Sequence, residues 1–293
     1  MKETVRLNPE CIKCLVTRQL ERCPEDVADD KKIEYMQRVL ELMSRVSKAE
    51  SGPTIVREID KIQKEMFGNE MDYSDIKKYF NSWMLEKEAE IRNRVEEQQD
   101  QLKAAIQYAM MGNYIDFGAM NRVDEDKLAA FLDGAKDIVI DAVEYANLKA
   151  ELEIAKRLVY ISDNCGEIVM DKILLGILKE NYPRLQMTVI VRGKPVLNDA
   201  TMEDAIQIGL DREVTVIGNG TDVAGTCLEE LSEQARTAIE EADVIFAKGQ
   251  GNFETLQKCG KNIYYIFMCK CDMFAKRFNV PKYTGVLIND KNC

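Results

Sequence analysis

The chain contains no histidine. That excludes every mechanism in which an imidazole activates a serine or cysteine, and every imidazole metal ligand. Proton transfer must fall to Asp, Glu, Lys, Tyr or Cys. Tryptophan is nearly absent, and six prolines are spread over 293 residues, so no Pro-rich linker divides the chain. No apolar run approaches the ~20 residues of a membrane span. The segment MKETVRLNPEC has no apolar stretch of the kind that heads a secretory signal, so no membrane partner is expected. A basic stripe is also missing. Asp and Glu number 51 against 40 Lys and Arg, a net charge of −11, which argues against a nucleic-acid partner. It does not argue against a phosphate site, for which a few local cations suffice.

Nine cysteines are present, an odd number. With no secretory signal, the expected setting is a reducing cytoplasm with free or metal-bound thiols. Cys11 and Cys14 form a CxxC, and Cys269 and Cys271 a distant pair. Together they offer a thiolate zinc set, although one CxxC supplies only half of it. Unligated thiols are the other reading.

Residues 1–150 read as helical. Apolar positions recur at helical spacing through Ile33, Met36, Val39, Leu40 and Met43, and again through Ile55, Ile59 and Ile62. Ser51-Gly52-Pro53 separates these two segments. Tyr73 to Asp100 is a long charged helical stretch, continued by Leu102 to Met111. GNYIDFG, residues 112–118, reads as a loop, and helix is expected again from Asp124 to Ala150. From Leu158 the period changes. Apolar, β-rich runs recur at 158–161, 188–191, 214–217, 244–247, 263–268 and 285–288, most of them separated by helical segments. This alternation predicts an α/β domain over 151–293: a three-layer, Rossmann-like α/β/α arrangement with a mainly parallel sheet. Near-continuous apolar strands fit burial on both faces.

The chemistry gathers where those strands end. RLVYISDNCGEIVMD, residues 157–171, reads as strand, tight turn and helix, with Asp163 and Asn164 at the carboxyl end of the strand. In open α/β sheets the ligand crevice lies there. The second strand runs into Arg192, Gly193 and Lys194, and then Asn198-Asp199. Carboxylates suit Mg²⁺ or Mn²⁺, and Arg and Lys suit phosphate. The fourth strand is followed by KGQGNFE. There Lys248 beside Gly249 and Gly251 makes an anion nest plausible, although the pattern is neither a Walker loop nor GxGxxG. Lys270 lies after the fifth strand and, like Lys194, also reads as a solvated lysine. Each piece has a plainer reading: Asp163, Asn164 and Asp199 could all be turn or cap residues. Cys165 at the first turn could be a nucleophile, but no imidazole exists to activate it.

SDNCGEIVMD, VRGKPVLNDAT, KGQGNFETL and GNYIDFG, taken together, resemble the metal-dependent damage-control phosphatases, formerly domain of unknown function 89. The N-terminal CxxC is similar to that of the family's stand-alone prokaryotic branch. The resemblance implies a helical region on a Rossmann-like domain, hydrolysis of small phosphometabolites such as sugar phosphates, and one divalent cation: Mg²⁺, Mn²⁺, Co²⁺ or Ni²⁺. It implies Asp163, Asn164 and Asp199 as metal ligands, with Asp163 and Asp199 catalytic. Asn113, Asp116, Glu167, Arg192, Lys248 and Gly249 are the expected substrate and phosphate residues. Two other classes remain open: a Rossmann-like methyltransferase or transferase, and a non-enzymatic metal or metabolite sensor.

Overall fold

The computed structural model describes residues 7–68, 72–114 and 132–293. Its centre is a six-stranded sheet: β1 (Arg157–Ile161), β2 (Gln186–Val191), β3 (Thr215–Gly218), β4 (Val244–Lys248), β5 (Ile263–Met268) and β6 (Gly285–Asn289), in the order β3-β2-β1-β4-β5-β6. The first five strands run parallel, and β6 closes one edge antiparallel to β5. The chain moves outward from β1 to β3 and then returns to lay β4 on the other side of β1. The carboxyl ends of β1 and β4 therefore flank the switch point, where doubly wound sheets open their crevice.

Strand side chains alternate between two cores. Leu158, Tyr160, Val189, Phe246, Tyr264 and Ile266 face one layer. It consists of α4 (Ser74–Glu96), α5 (Gln101–Tyr114), α6 (Ala142–Ile154) and α7 (Glu167–Asn181). Val159, Ile161, Ile190, Ile245, Tyr265 and Phe267 face the other. That layer holds α9 (Glu233–Glu241), α10 (Gly249–Leu256) and α11 (Asp272–Phe278). A short α8 (Met202–Gln207) follows the β2 turn.

The N-terminal helices divide in two. α1 (Pro9–Glu21), α2 (Asp29–Arg45) and α3 (Gly52–Phe67) enclose a small core of their own, built on Leu15, Tyr35, Val39, Ile55 and Ile59. Local chemistry sets their starts. Asn8 caps α1 by accepting from Glu10 N at 2.9 Å, ahead of Pro9; Ser51 and Thr54 form the capping box of α3. The helices α4 to α6, by contrast, are the covering layer of the sheet. The region up to residue 150 is thus not one helical body. Both α4 and α5 pack on α7 and on each other, and α4 also reaches α8.

One expected boundary moves. Gly112 and Asn113 lie inside α5, which runs on to Tyr114. Gly112 is needed there because a β-carbon would approach Met170 Sδ at 3.0 Å and Glu167 Cγ at 3.2 Å. The helix start expected at Asp124 lies outside the described residues; residues 132–134 are helical, and α6 starts at Ala142, where Asp141 accepts from the N–H groups of Val143 and Glu144.

Candidate active site

Backbone pairing brings the two oxygen-rich turns together. Cys165 N donates to Asn198 O at 2.8 Å and Ala200 N to Asp163 O at 2.7 Å, so Asn164 and Asp199 sit as antiparallel bridge partners. The plainer readings of these residues fall away. α7 starts after Gly166, whose φ is +68°, with no side-chain cap. α8 is capped by Thr201 in a box with Asp204. Asp163, Asn164 and Asp199 are therefore released from capping and converge on one rim.

Their neighbours orient them. Asn164 Nδ2 donates to Asp163 Oδ2 and Glu167 Oε2, both at 2.8 Å. This fixes which end of the amide is oxygen. Asn164 Oδ1 accepts from Asn198 Nδ2 at 3.0 Å. Asn113, at the end of α5, donates to Asp163 Oδ2 at 2.9 Å and Glu167 Oε2 at 3.1 Å, and its own oxygen accepts from Met268 N. Arg192 is almost fully buried; it donates to Asp199 at 2.6 Å, Asn252 at 3.2 Å and Asp163 at 3.4 Å. Asn252 donates to the carbonyls of Ser162 and Lys248, joining the ends of β1 and β4. Gly249, φ +76°, presses against Asp163. Asp116 lies outside the described residues.

Lys248 is placed differently from the sequence expectation. Its ammonium is fully buried and its three N–H groups are all engaged, by Glu167 Oε1, by Asp171 Oδ1 at 2.6 Å and by Ala109 O at 3.0 Å. A phosphate cannot reach it without breaking a buried ion pair. Glu167 is held in the same way, with one oxygen taken by Lys248 and the other by the amides of Asn113 and Asn164. Lys194 is exposed at the surface. Lys270, half-buried after β5, has no ion-pair partner for its ammonium among the described residues. Its charge favours the ionised forms of both Asp163 and Glu167.

The electrostatics follow from burial. Three buried carboxylates, Glu167, Asp171 and Asp199, and the mostly buried Asp163 face two buried cations, Arg192 and Lys248. Burial, then Glu167 and Asp199, push Asp163 up to about 8 against the pull of Arg192. Burial also raises Asp199, again opposed by Arg192. For Glu167 the burial penalty is outweighed by Lys248, and its pKa is lowered. Asp171 is raised to about 6, chiefly by burial, although Lys248 and Tyr160 bond one of its oxygens. This excess of buried negative charge, presented as hard oxygen donors, fits a divalent cation at Asp163, Asn164 and Asp199. Among the described residues no three or more Cys, Asp or Glu side chains are arranged to hold a metal. The hard set numbers two carboxylates and an amide. The expected zinc set of Cys11, Cys14, Cys269 and Cys271 is not assembled. Cys165 is wholly buried and its thiol pKa is raised by burial and by Asp204, which removes it as a nucleophile.

Residues 7–286 match the model of the damage-control phosphatase ARMT1-like domain. The chain belongs to that family. It is 29% identical to a damage-control phosphatase of Pyrococcus horikoshii, over 98% of this chain and 99% of that one. It is 31% identical to one of Archaeoglobus fulgidus, over 74% of this chain and 75% of that one. It also resembles the crystal structure of a DUF89 family protein from P. horikoshii, with TM-score 0.79 and 29% identity over 97% of this chain and 99% of that one. Residues overlooked in the sequence, Asn198, Asn252 and Asp171, lie inside the motifs that carry the likeness. Their signal was the motif itself: NDAT, GNF and the aspartate one turn after Glu167.

Proposed function

We propose that this protein is a metal-dependent phosphomonoesterase acting on small phosphorylated metabolites, a reading in line with relatives named damage-control phosphatases. The observation that carries the reading is the antiparallel contact between residues 163–165 and 198–200. It sets three oxygen donors side by side at the switch point. One cation, Mg²⁺, Mn²⁺, Co²⁺ or Ni²⁺, would be held by Asp163, Asn164 and Asp199. When bound, it supplies charge to a phosphoryl oxygen and acidifies water.

The chain's own residues do the rest. Asp163 and Glu167 accept from the Asn164 amide nitrogen and Asn198 donates to its oxygen, while Asn113 donates to the same two carboxylates. Arg192 is pinned by Asp199 and Asn252, and favours the ionised form of Asp163. A carboxylate oxygen of Asp163 or Asp199 orients the attacking water. Lys270 is the phosphate anchor, because Lys248 and Arg192 are already engaged. The first amides of α10, at Gly249 and Gln250, lie beside it and add N–H dipoles. The role of Lys248 is to keep Glu167 ionised in a buried place. The methyltransferase reading wants an acidic residue at the end of β2 to hold a ribose, and Arg192 stands there.

The test is hydrolysis of a panel of sugar phosphates and p-nitrophenyl phosphate, with and without Mn²⁺ and after treatment with a chelator. Release of phosphate that disappears on chelation and returns with Mn²⁺ supports the reading. Asp199→Asn should lose it while keeping the wild-type circular dichroism. Metal-independent release, or none from any ester, would sink it.

A further inference from the structure

Two motifs take no part in this site: Cys11 and Cys14 on α1, and Cys269 and Cys271 around Lys270. The fold packs α1, which carries Cys11 and Cys14, against α11, which starts from Cys271. Lys276 reaches Glu10 across that contact at 3.8 Å. Cys271 is the residue from which α11 starts, and its Sγ accepts from Gln250 Nε2 at 3.6 Å. Glu254 is one turn further along α10, on the face of Gln250. Besides burial, the charges of Glu254, Cys271 and Cys14 all raise the Cys11 thiol. Cys11 and Cys271 therefore lie on the two helices that meet at the α1–α11 contact, with Cys271 also touching α10 through Gln250. Both are half-buried and reduced. Cys269 is buried in the core, and Cys14 is exposed one turn further along α1.

We propose that Cys11 and Cys271 are a redox-active pair that a small-molecule disulfide oxidises to a cross-link between α1 and the Lys270 turn. One protein thiol gives its proton to solvent and attacks a sulfur of the oxidant, RSSR. That bond breaks, and RS⁻ leaves and is protonated. The second protein thiol, deprotonated in turn, attacks the mixed disulfide and releases a second RSH. Two protein thiols are oxidised and one small disulfide is reduced to two thiols.

The cross-link has a route to the active site. Gln250 Oε1 accepts from Lys270 N at 3.0 Å while its Nε2 contacts Cys271 Sγ. One amide thus gauges both residues. Turning the Cys271 sulfur toward α1 withdraws it from Gln250 and shifts the Lys270 backbone. This consequence rests on Lys270 being the phosphate anchor; the cross-link itself does not.

The experiment treats the reduced full-length protein with oxidised glutathione, alkylates the remaining thiols and maps the peptides by mass spectrometry. A Cys11–Cys271 linked pair is expected as the main disulfide within the protein. It should vanish with dithiothreitol and in Cys11→Ser or Cys271→Ser, and persist in Cys14→Ser. A dominant Cys11–Cys14 bond, or mixed disulfides alone, would overturn the proposal. So would stoichiometric zinc held by the reduced protein through these cysteines. Phosphatase turnover of the cross-linked protein should drop roughly tenfold and recover on reduction, while Cys11→Ser remains insensitive to the oxidant. A mapped cross-link without loss of turnover would leave the thiol pair standing and overturn Lys270 as the anchor.

Discussion

Gly249 and Asp163 stand so close that a β-carbon on Gly249 would lie 1.9 Å from Asp163 Oδ2. The backbone of Gly249 is also left-handed, with φ +76°. The end of β4 is thereby brought against the carboxylate that ends β1, and only glycine permits the approach. Gly249→Ala should displace Asp163 and cost over about 100-fold in kcat/KM, as sub-ångström misplacement does in other sites. Steady-state kinetics beside circular dichroism checks this; near-wild-type kcat/KM would show that Asp163 is free to move without harm.

Lys248 is predicted to matter for stability before catalysis. Its removal leaves Glu167 and Asp171 buried with no counter-ion. Lys248→Met should cost about 3–5 kcal/mol, the usual penalty for breaking a buried ion pair. Urea denaturation measures it. A cost under about 1 kcal/mol would mean that the ammonium is solvated, as a phosphate ligand would be.

Lys270 and Lys194 should separate in phosphate inhibition. Inorganic phosphate is expected to compete with substrate in the wild type and in Lys194→Ala, whose side chain is exposed. In Lys270→Ala its inhibition constant should rise roughly tenfold, the effect of losing about one charge-assisted hydrogen bond. Equal inhibition of all three proteins would refute the assignment.

Glu254 should make stability fall as pH rises. Burial lifts its pKa from 4.5 to about 7, although Gly52 N donates to it at 3.1 Å. The folded state thus disfavours its charged form. Its stabilising influence is full below pH 4.5 and is lost as pH climbs towards 7. Glu254→Gln should therefore gain about 1–2 kcal/mol at pH 8, a figure reduced for partial solvent exposure, and nothing at pH 4.5. Thermal melts at the two pH values check the sign; an equal shift at both would show that ionisation of Glu254 is irrelevant.

The sheet was legible because two-sided burial demands apolar runs, and five of its six strands fall within a residue or so of those runs. Asp163 and Asn164 were legible as candidate donors for a similar reason, because they follow β1 directly; Asp199, well past the end of β2, reaches them only through the pairing of the two loops. What local pattern could not tell was who meets whom. Lys248 ends a buried strand beside glycines, which reads as an anion nest. Only the packing of α7 across β4 shows its ammonium consumed by Glu167 and Asp171. Gly112 and Asn113 read as a loop, because a glycine looks like a break until Met170 and Glu167 of α7 are seen pressing on it. Local propensity and periodicity are written within a few residues of each other, so the sequence by itself determined the strands and singled out Asp163, Asn164 and Asp199 as candidates. Charge pairing between residues 81 positions apart, as in Lys248 and Glu167, depends on how layers stack, and that was decided by the tertiary structure alone.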